Sequence, residues 1–400
     1  MRFRVGLDDT DSSRGFCTTY LAYRIAADLS PLVKVLPYPR LVRLNPNIPF
    51  KTRGNAAVCL SVEVEDPDQA FDLISGKVSE LSDVAGGANT GMVFVEGASY
   101  ANLFGQLYQE ALTGLVSPHR VRRLLRDNGV RTLELGNGMG IVGAASSLGF
   151  DEGFDHTYEL ISYRRAGFWG SRRLIDSSSV TKMDAATFPH TFNNYDYQKR
   201  KVLIAPHGPD PVFSGIRGDS PSVVLKAFQM LEFEEELEGH MIYASNQHTE
   251  AHLQKKLEWK VFSSGWIDGE VVKVEVGPGG HTYFTIRSAG HFRHVAAYEP
   301  TGDLRRVVRL LEPGDKVRAY GGVRRPSSKH PSILNLEKLE VIRLTGARRP
   351  LVKGIFIASP RANRHLTKPL IRHGREVYGP APAMEGWLGT RSERALARSR

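Results

Sequence analysis

The sequence has 400 residues, and its 53 Lys and Arg exceed its 43 Asp and Glu by ten, giving a formal net charge of +10. An apolar content of 41% and a charged content of 24% are ordinary for a globular chain of two to four domains. No apolar run approaches the ~20 residues of a membrane span, and no signal peptide precedes the first strand. Two cysteines build neither a disulfide framework nor a four-thiolate zinc site. We therefore expect a cytoplasmic protein without a zinc site.

The positive charge is concentrated at the carboxyl end. Residues 345–400 contain 12 Lys or Arg and 3 acidic residues, which accounts for +9 of the net +10. A basic segment on a near-neutral body is typical of a protein that binds a polyanion, most often nucleic acid. A disordered solubilising end has the same composition, so both interpretations stay open.

The first motif is an acid-rich loop between a strand and a helix. Residues 2–7 alternate apolar and polar side chains and predict a strand, and the apolar spacing from Phe16 onward predicts a helix. The loop between them is dense in carboxylates and hydroxyls: Asp8, Asp9, Thr10, Asp11 and Ser12. In open α/β folds, ligands bind at such strand ends.

Three carboxylates this close repel one another unless a cation neutralises them. The N–H groups of a helix start favour phosphate, and an adjacent acidic cluster favours the Mg²⁺ that accompanies it. We therefore predict that Asp8, Asp9 and Asp11 hold Mg²⁺ beside ATP, with Thr10 and Ser12 at the nucleotide. The alternative is a capped turn, in which an Asp or Ser accepts helix N–H bonds.

The remainder of the first 130 residues predicts a mixed α/β domain. Residues 32–47 are strand-like but interrupted by prolines, so we expect an edge strand or a loop there. Lys51, Arg53, Gly54 and Asn55 form a basic turn suited to phosphate, although a solvated loop has the same composition. The other predicted elements are a central strand at 56–65, helices at 67–81, 104–112 and 118–127, and a strand at 91–96.

A glycine-rich segment follows at 136–145 and contains G-x-G-x-x-G. This pattern is weak on its own, and no convincing β-α-β unit surrounds it. We therefore predict a closely packed helix or a turn in place of a dinucleotide site.

The middle region, 131–258, predicts a ferredoxin-like α+β unit. Residues 171–196 show little periodicity, and the polar corner 246–250 is either a helix cap or a ligand loop. The predicted elements are strands at 157–164, 201–206, 211–216 and 241–245, and helices at 222–234 and 250–258.

From residue 262 the pattern changes to short strands, which predict a small barrel of the OB-fold type. The strands are expected at 265–274, 282–287, 292–298, 316–324 and 334–344. Aromatic and basic side chains of the barrel suit nucleic-acid stacking and backbone contacts, namely Phe292, Arg293, His294 and Tyr298. The histidines at 281, 291 and 294 are interpreted as surface residues, not metal ligands. Basic residues of the tail suit phosphate contacts, namely Arg361, Arg364, Lys368 and Arg372.

Several long motifs, in order, resemble one family. They are GLDDTDSSRGFCTTYL, LVRLNPNIPFKTRGN, HTYELISYR, FNNYD, SGIRG, SNQHTEAHL and HFRHVAAYEPT. The chain is similar in these motifs to the archaeal tRNA agmatinylcytidine synthetases (TiaS). The resemblance extends to about residue 344 and returns at HLTKPLIRHG.

The resemblance implies an ATP-dependent ligase that joins agmatine to carbon 2 of the wobble cytidine of an isoleucine tRNA with a CAU anticodon. It implies that the reaction passes through a phosphorylated cytidine and that the modified tRNA decodes AUA as isoleucine. It implies a kinase-like domain at 1–130, a ferredoxin-like domain at 131–258 and an OB-fold at 259–344. A basic tail at 345–400 replaces the zinc ribbon that the family usually carries. Motif alignment places the family's phosphorylated threonine at Thr18.

Agmatine is doubly cationic, so its pocket needs carboxylates. Candidates near the join of the first two domains are Asp151, Glu152, Asp155 and Glu159. Two other functions stay open from the residues: a small-molecule kinase or ligase with an inert barrel, and an RNA-binding protein that keeps a relic nucleotide fold.

Overall fold

The computed structural model describes residues 1–51, 54–97, 99–151, 153, 155–197, 200–298, 301, 303–328 and 331–345, and the backbone of three short strands further on. The chain forms two compact units. The first unit comprises Met1–Leu44, Phe50–Leu112 and Val116–Asn246. The second comprises Asn45–Pro49, Thr113–Leu115 and Gln247–Arg400. None of the described helices is long and apolar enough to cross a membrane.

The first unit is built on a ten-stranded mixed sheet. Its strands are β1 (Arg2–Asp8), β2 (Val33–Val35), β3 (Arg40–Arg43), β4 (Ala56–Val64), β5 (Gly91–Glu96), β6 (Arg131–Glu134), β7 (Thr157–Arg164), β8 (Thr191–Phe192), β11 (Val212–Gly218) and β12 (Leu237–Ser245). A separate hairpin pairs β9 (Tyr195–Asp196) with β10 (Lys201–Val202). The helices are α1 (Thr18–Asp28), α2 (Pro67–Glu80), α3 (Ala101–Thr113), α4 (Pro118–Asp127), α5 (Ile141–Ser147), α6 (Ser177–Thr187) and α7 (Pro221–Gln229).

The strand order is β6-β5-β1-β4-β3-β12-β7-β11-β8, with β2 paired to β4. The central position of β4 confirms the expectation for its apolar run. The expectation of an edge strand or a loop at residues 32–47 is correct for β2, which among the described strands pairs only with β4. It is wrong for β3, which lies inside the sheet between β4 and β12. Pro37 and Pro39 precede β3 and Pro46 follows it, so no ladder N–H is lost within the strand.

The glycine-rich segment forms α5, which packs on β1 and β5. A Cβ atom at Gly6 would overlap the carbonyl oxygen of Ala144, and one at Gly91 would overlap the backbone of Ile141. The helix therefore lies against strands that have no side chain at the contact. This confirms a closely packed helix at this motif.

In the middle region one helix was not predicted and one predicted helix is wrong. Residues 171–196 contain α6, whose start is capped by Asp176 accepting hydrogen bonds from the N–H groups of Ser178 and Ser179. The helix expected at 250–258 is only a 3-10 turn at Ala251–Leu253. It does not propagate because Glu250 has a left-handed backbone, with φ of 54°, and its carboxylate is held by Lys338 at 2.7 Å.

The second unit contains the five strands expected of a barrel. They are β13 (Ser264–Val276), β14 (Thr282–Ser288), β15 (His291–Ala297), β16 (Lys316–Arg324) and β17 (Ile333–Arg343). The parallel pairing of β15 with β17 closes the five strands on themselves. Their inward side chains, such as Val271, Ile286 and Leu339, form a core with α8 (Asp303–Val308). The sheet continues from β17 into β18 (Gly354–Ile357), β19 (Ile371–His373) and β20 (Glu376–Tyr378).

The contact between α5 and β1 is expected to tolerate no added methyl group. Gly6→Ala should reduce the free energy of unfolding by about 1–3 kcal/mol, because the new Cβ forces the helix away from the sheet. Gly76→Ala in α2 is the control, since nothing lies within 4 Å of its Cβ position. It should stabilise the fold by about 0.5–1 kcal/mol in the same urea titration. Equal effects of the two substitutions would contradict the packing argument.

Candidate active site

A cavity of about 280 Å³ lies in the first unit, between the start of α1 and strands β3, β4, β7 and β11. Its walls combine apolar side chains with groups that carry chemistry. The polar and charged lining residues are Asp11, Cys17, Thr18, Thr19, Arg43, Glu159, Asp210 and Arg217. Residues from strands on either side of β12 therefore face one space.

The acid-rich loop reaches this cavity through a tight turn at the end of β1. Asp9 has a left-handed backbone, with φ of 56°, and its N–H donates to Asp8 Oδ1 at 2.8 Å. The Thr90 hydroxyl donates to the Asp9 carbonyl at 3.0 Å. The hydroxyl oxygens of Thr10 and Thr18 lie 3.0 Å apart, so the loop contacts the first residue of α1.

Asp83 anchors the other end of the loop and was not anticipated from the sequence. The Ser12 hydroxyl donates to the Asp83 carboxylate, and Arg14 Nη2 lies 2.9 Å from Asp83 Oδ1. The hydrogen bond from Ser12 is the largest cause, and that from Arg14 the next, of a pKa of Asp83 below its usual value. Because Asp83 lies about 70 residues beyond the loop, no local spacing indicates this pairing.

The carboxylate of Asp8 is electrostatically unfavourable in its ionised form. Burial, followed by the charges of Asp9 and Asp11, raises its pKa well above the usual value. The side chain packs so closely on α5 that a Cβ at Gly143 would overlap it. A cation at this loop would relieve the repulsion.

A preformed metal cage is not present in the described part of the chain, where no group of three or more His, Cys, Asp or Glu is arranged to hold a metal ion. Mg²⁺ seldom uses such cages, because it keeps several waters and binds one or two carboxylates together with substrate phosphates. The mutual repulsion around Asp8 therefore fits Mg²⁺ that arrives with a triphosphate.

The start of α1 offers backbone donors on the same side of the cavity. Cys17, the residue before the helix, has an extended backbone, and its side chain does not cap the first turn. The first N–H groups of an α-helix have no partner within the helix. They suit a phosphate oxygen, and the helix dipole adds to the attraction.

The opposite wall contains a buried ionic group that spans three strands. Glu159 of β7 is buried, with its Oε1 atom 2.9 Å from Arg217 Nη2 and its Oε2 atom 3.8 Å from Arg43 Nη2. Burial lowers the pKa of Arg43, while Glu159 opposes that shift. The carboxylate of Glu159 is therefore already engaged by arginine.

Asp210 is a second buried carboxylate of the cavity, and the sequence did not reveal it. Arg173 holds the surrounding segment by donating to the carbonyl of Asp210 at 2.8 Å and to those of Pro206, Gly208 and Val212. Its Nη2 lies 3.3 Å from Asp210 Oδ1. The only local signal is the Pro209-Asp210-Pro211 tripeptide, which marks a turn.

The residues predicted for the two small substrates are placed unevenly. Gly54 lines the cavity, while Lys51 and Asn55 are half-buried in the preceding loop. Among the acidic candidates for agmatine, Glu159 lines the cavity. Asp151 is exposed, where it accepts a hydrogen bond from the Gly153 N–H, and neither it nor Asp155 lines the cavity. Arg53 and Glu152 lie outside the described residues.

The residues predicted to contact tRNA in the barrel are mostly accessible. Phe292 is 63% exposed on β15, and His291 and His294 are exposed on the same strand. The Arg293 guanidinium lies 4.8 Å from the centre of the Trp259 ring. Tyr298 is half-buried, with its ring edge-on to those of His281 and Tyr283. The tail residues Arg361, Arg364 and Lys368, and the side chain of Arg372, lie outside the described part.

Comparison with known proteins places these features in one family. The family model described as the TiaS TCKD domain matches residues 4–137, and that of the TiaS FLD domain matches residues 138–252. The isoleucine-tRNA 2-agmatinylcytidine synthetase TiaS of Cenarchaeum symbiosum is 43% identical over 97% of this chain and 96% of its own length.

Solved structures are similar over nearly the same range. A crystal structure of TiaS in complex with its isoleucine tRNA and ATP is 32% identical, with a TM-score of 0.84 over 92% of this chain and 96% of that one. A complex of TiaS with the same kind of tRNA, AMPCPP and agmatine is also 32% identical, with a TM-score of 0.82 over the same shares. Both confirm the mixed α/β multidomain fold.

Neutralising Asp8 is expected to stabilise the protein in the absence of ligands. Asp8→Asn keeps the acceptor for the Asp9 N–H but removes one of three repelling charges, so it should raise Tm by a few degrees at pH 8. A carboxyl whose folded-state pKa is raised costs stability only when ionised. The advantage of Asn should therefore disappear as the pH falls through that raised pKa. A variant that melts at or below the wild-type temperature at pH 8 would contradict this electrostatic account.

Proposed function

Because this chain belongs to the TiaS family, we propose that it is an ATP-dependent 2-agmatinylcytidine synthetase that acts on an isoleucine tRNA. It joins agmatine to carbon 2 of the wobble cytidine of that tRNA, so that the tRNA decodes AUA as isoleucine. The observation that carries the proposal is one cavity lined by Asp11 of the acid loop, by Thr18 and by the buried carboxylates of Glu159 and Asp210. A small-molecule kinase or a relic RNA-binding protein would not need this combination.

The reaction requires activation of the base. The oxygen on carbon 2 of cytosine is a poor leaving group, and phosphorylation of that oxygen converts it into a good one. The primary amine of agmatine then attacks carbon 2, the carbon–oxygen bond breaks, and the oxygen leaves with the phosphate. Catalysis of phosphoryl transfer depends mainly on positioning and on neutralising charge.

The acid loop and the start of α1 supply both requirements for the triphosphate. Asp8, Asp9 and Asp11 hold the divalent cation, and Thr10, Ser12, Lys51, Arg53, Gly54 and Asn55 border the nucleotide. When bound, Mg²⁺ supplies charge neutralisation at the phosphates. The first-turn N–H groups of α1 bind a phosphate oxygen and thereby fix its distance from the Thr18 hydroxyl.

In this proposal Thr18 is also phosphorylated by the triphosphate, as the family resemblance implies. Its hydroxyl oxygen bonds to phosphorus, the bridging P–O bond of the triphosphate breaks, the remaining nucleotide leaves and the hydroxyl proton passes to solvent. The Thr18 side chain is buried at the cavity wall, with its hydroxyl 3.0 Å from that of Thr10. This position places the hydroxyl between the loop that holds the nucleotide and the space that holds the base and agmatine.

Agmatine fits the polarity of the remaining cavity. It has a cation at each end of a four-carbon chain, and the walls offer carboxylates together with apolar side chains such as Leu41, Ile161 and Ile204. Glu159 is bound to Arg217, which makes it a support for the pocket more than a partner for a guanidinium. Asp210, whose contact with Arg173 is longer at 3.3 Å, is therefore the carboxylate we assign to one end of agmatine.

The domains divide the work as follows. Residues 1–130 form the kinase-like domain that binds ATP and cytidine, and residues 131–258 the ferredoxin-like domain that completes the pocket. Residues 259–344 form an OB-fold, supported by the closure of β15 on β17, whose exposed Phe292 and neighbouring Arg293, His294 and Tyr298 contact tRNA. The basic tail at 345–400 takes the place of a zinc ribbon, and the enzyme works in the cytoplasm.

The direct test uses purified protein, a transcript of the isoleucine tRNA with a CAU anticodon, ATP and labelled agmatine. Wild-type protein should label the RNA, and Asp9→Asn should reduce labelling by at least ~100-fold through loss of charge neutralisation at the triphosphate. Its affinity for tRNA should stay within twofold, as should that of the control Asp127→Asn on exposed helix α4. ATP turnover without RNA labelling would favour the small-molecule enzyme, and full activity of Asp9→Asn would refute the metal assignment.

The assignment of Asp210 is tested by the Michaelis constant for agmatine. Asp210→Asn keeps the acceptor for the Val212 N–H but removes the charge, so KM for agmatine should rise ~10-fold or more while KM for ATP is unchanged. Asp155→Asn is the matched control and should leave both constants unchanged, because Asp155 does not line the cavity. A raised KM for agmatine in Asp155→Asn, with no change in Asp210→Asn, would instead place the agmatine site at the loop before β7.

A further inference from the structure

Helix α1 is docked on β7 and β12 by a set of tyrosines. Tyr163 of β7 and Tyr243 of β12 are both fully buried. Their phenolic oxygens lie 2.9 Å and 2.7 Å from the carbonyl oxygen of Thr19, and 2.9 Å from each other. Two side chains from two strands therefore converge on one backbone carbonyl in the first turn of α1.

A buried phenol needs a partner for its O–H group, because an unsatisfied donor in the interior is costly. Both phenolic oxygens lie within hydrogen-bond distance of the Thr19 carbonyl, and either phenol can also donate to the other. Burial raises the pKa of both phenols, so each keeps its proton over the whole physiological range. The arrangement is therefore a permanent clamp on this carbonyl.

The clamp acts on the residue that directly follows Thr18. The Thr18 side chain is fixed from the other direction by the Thr10 hydroxyl at 3.0 Å. Strand β7, which supplies Tyr163, also contributes Glu159 and Ile161 to the cavity. The strand that forms one wall of the cavity thus holds the backbone of the opposite wall in a fixed position.

We propose that Tyr163 and Tyr243 are positioning residues for the reaction, which set the Thr18 hydroxyl relative to the nucleotide and the cytidine by holding the Thr19 carbonyl. This inference rests on the proposed function, because it gives Thr18 a part in phosphoryl transfer. Reacting groups in such transfers must be held near 3 Å, and a displacement of about 1 Å costs on the order of 100-fold in rate.

The interface between α1 and β12 contains a natural control. The Tyr23 hydroxyl donates to the Glu238 carbonyl at 3.0 Å, one turn beyond Thr19 on α1. Tyr23→Phe removes a phenol hydrogen bond between the same helix and the same strand, β12, but leaves both bonds to Thr19. A merely structural role predicts that Tyr23→Phe and Tyr243→Phe have the same consequences.

The experiment compares Tyr163→Phe, Tyr243→Phe, the double variant and Tyr23→Phe in the agmatine incorporation assay, together with ATP-dependent labelling of the protein at Thr18. We expect kcat to fall ~10-fold in each single variant and ~100-fold in the double variant, with KM for tRNA within twofold of wild type. Labelling at Thr18 should slow in parallel. Tyr23→Phe should lower Tm by as much as Tyr243→Phe while its kcat stays at the wild-type value.

The inference is overturned if the double variant keeps the kcat of Tyr23→Phe, or if kcat in all variants simply follows Tm. It also falls if Thr18→Ala retains full incorporation, because Thr18 then has no step to be positioned for. The proposed function fails differently, by the absence of agmatine incorporation in wild-type protein with intact tRNA binding.

Discussion

The site depends on the parallel pairing of β3 with β12, which joins two sheets into one. Only two residue pairs make this ladder, Arg40 with Ala244 and Leu41 with Ser245. The Asn246 side chain extends it, because its Oδ1 accepts from the Arg43 N–H at 2.7 Å and its Nδ2 donates to the Arg43 carbonyl at 2.8 Å. An amide side chain thus replaces the next residue of a strand. This junction sets the spacing of the cavity walls within the sheet.

Charged groups of two kinds lie on the two sides of this junction: the carboxylates of the acid loop on one side, and buried carboxylate–arginine pairs on the other. On the side of β1, the repulsion around Asp8 favours a cation and the start of α1 favours an anion, a combination that a metal-bound triphosphate meets. On the other wall, Glu159 is balanced by Arg217, and Asp210 is set by Arg173. The carboxylates and the arginines of that wall are buried together as ion pairs. The two sides of the junction therefore present different electrostatic environments.

Local patterns in the sequence predicted the parts of the site that are local. The acid loop and Thr18 lie within eleven residues, and β4 begins with the apolar run 56–60 because both of its faces are buried there. The other wall could not be predicted in this way. The hydrogen bonds from Tyr163 and Tyr243 to Thr19 span 144 and 224 residues of sequence. The helix predicted at 250–258 does not form where Glu250 pairs with Lys338, 88 residues further along the chain. Such partners leave no periodicity in the sequence.

The central claim is that the acid loop and the start of α1 bind a metal–triphosphate facing the cavity. The most direct measurement is a crystal structure with a non-hydrolysable ATP analogue and Mn²⁺, whose anomalous signal locates the metal. We expect a Mn²⁺ peak at ~2.1–2.2 Å from a carboxylate oxygen of Asp8, Asp9 or Asp11, with a phosphate at the first-turn N–H groups of Thr18 and Thr19. A triphosphate bound elsewhere, with no metal at these carboxylates, would contradict it.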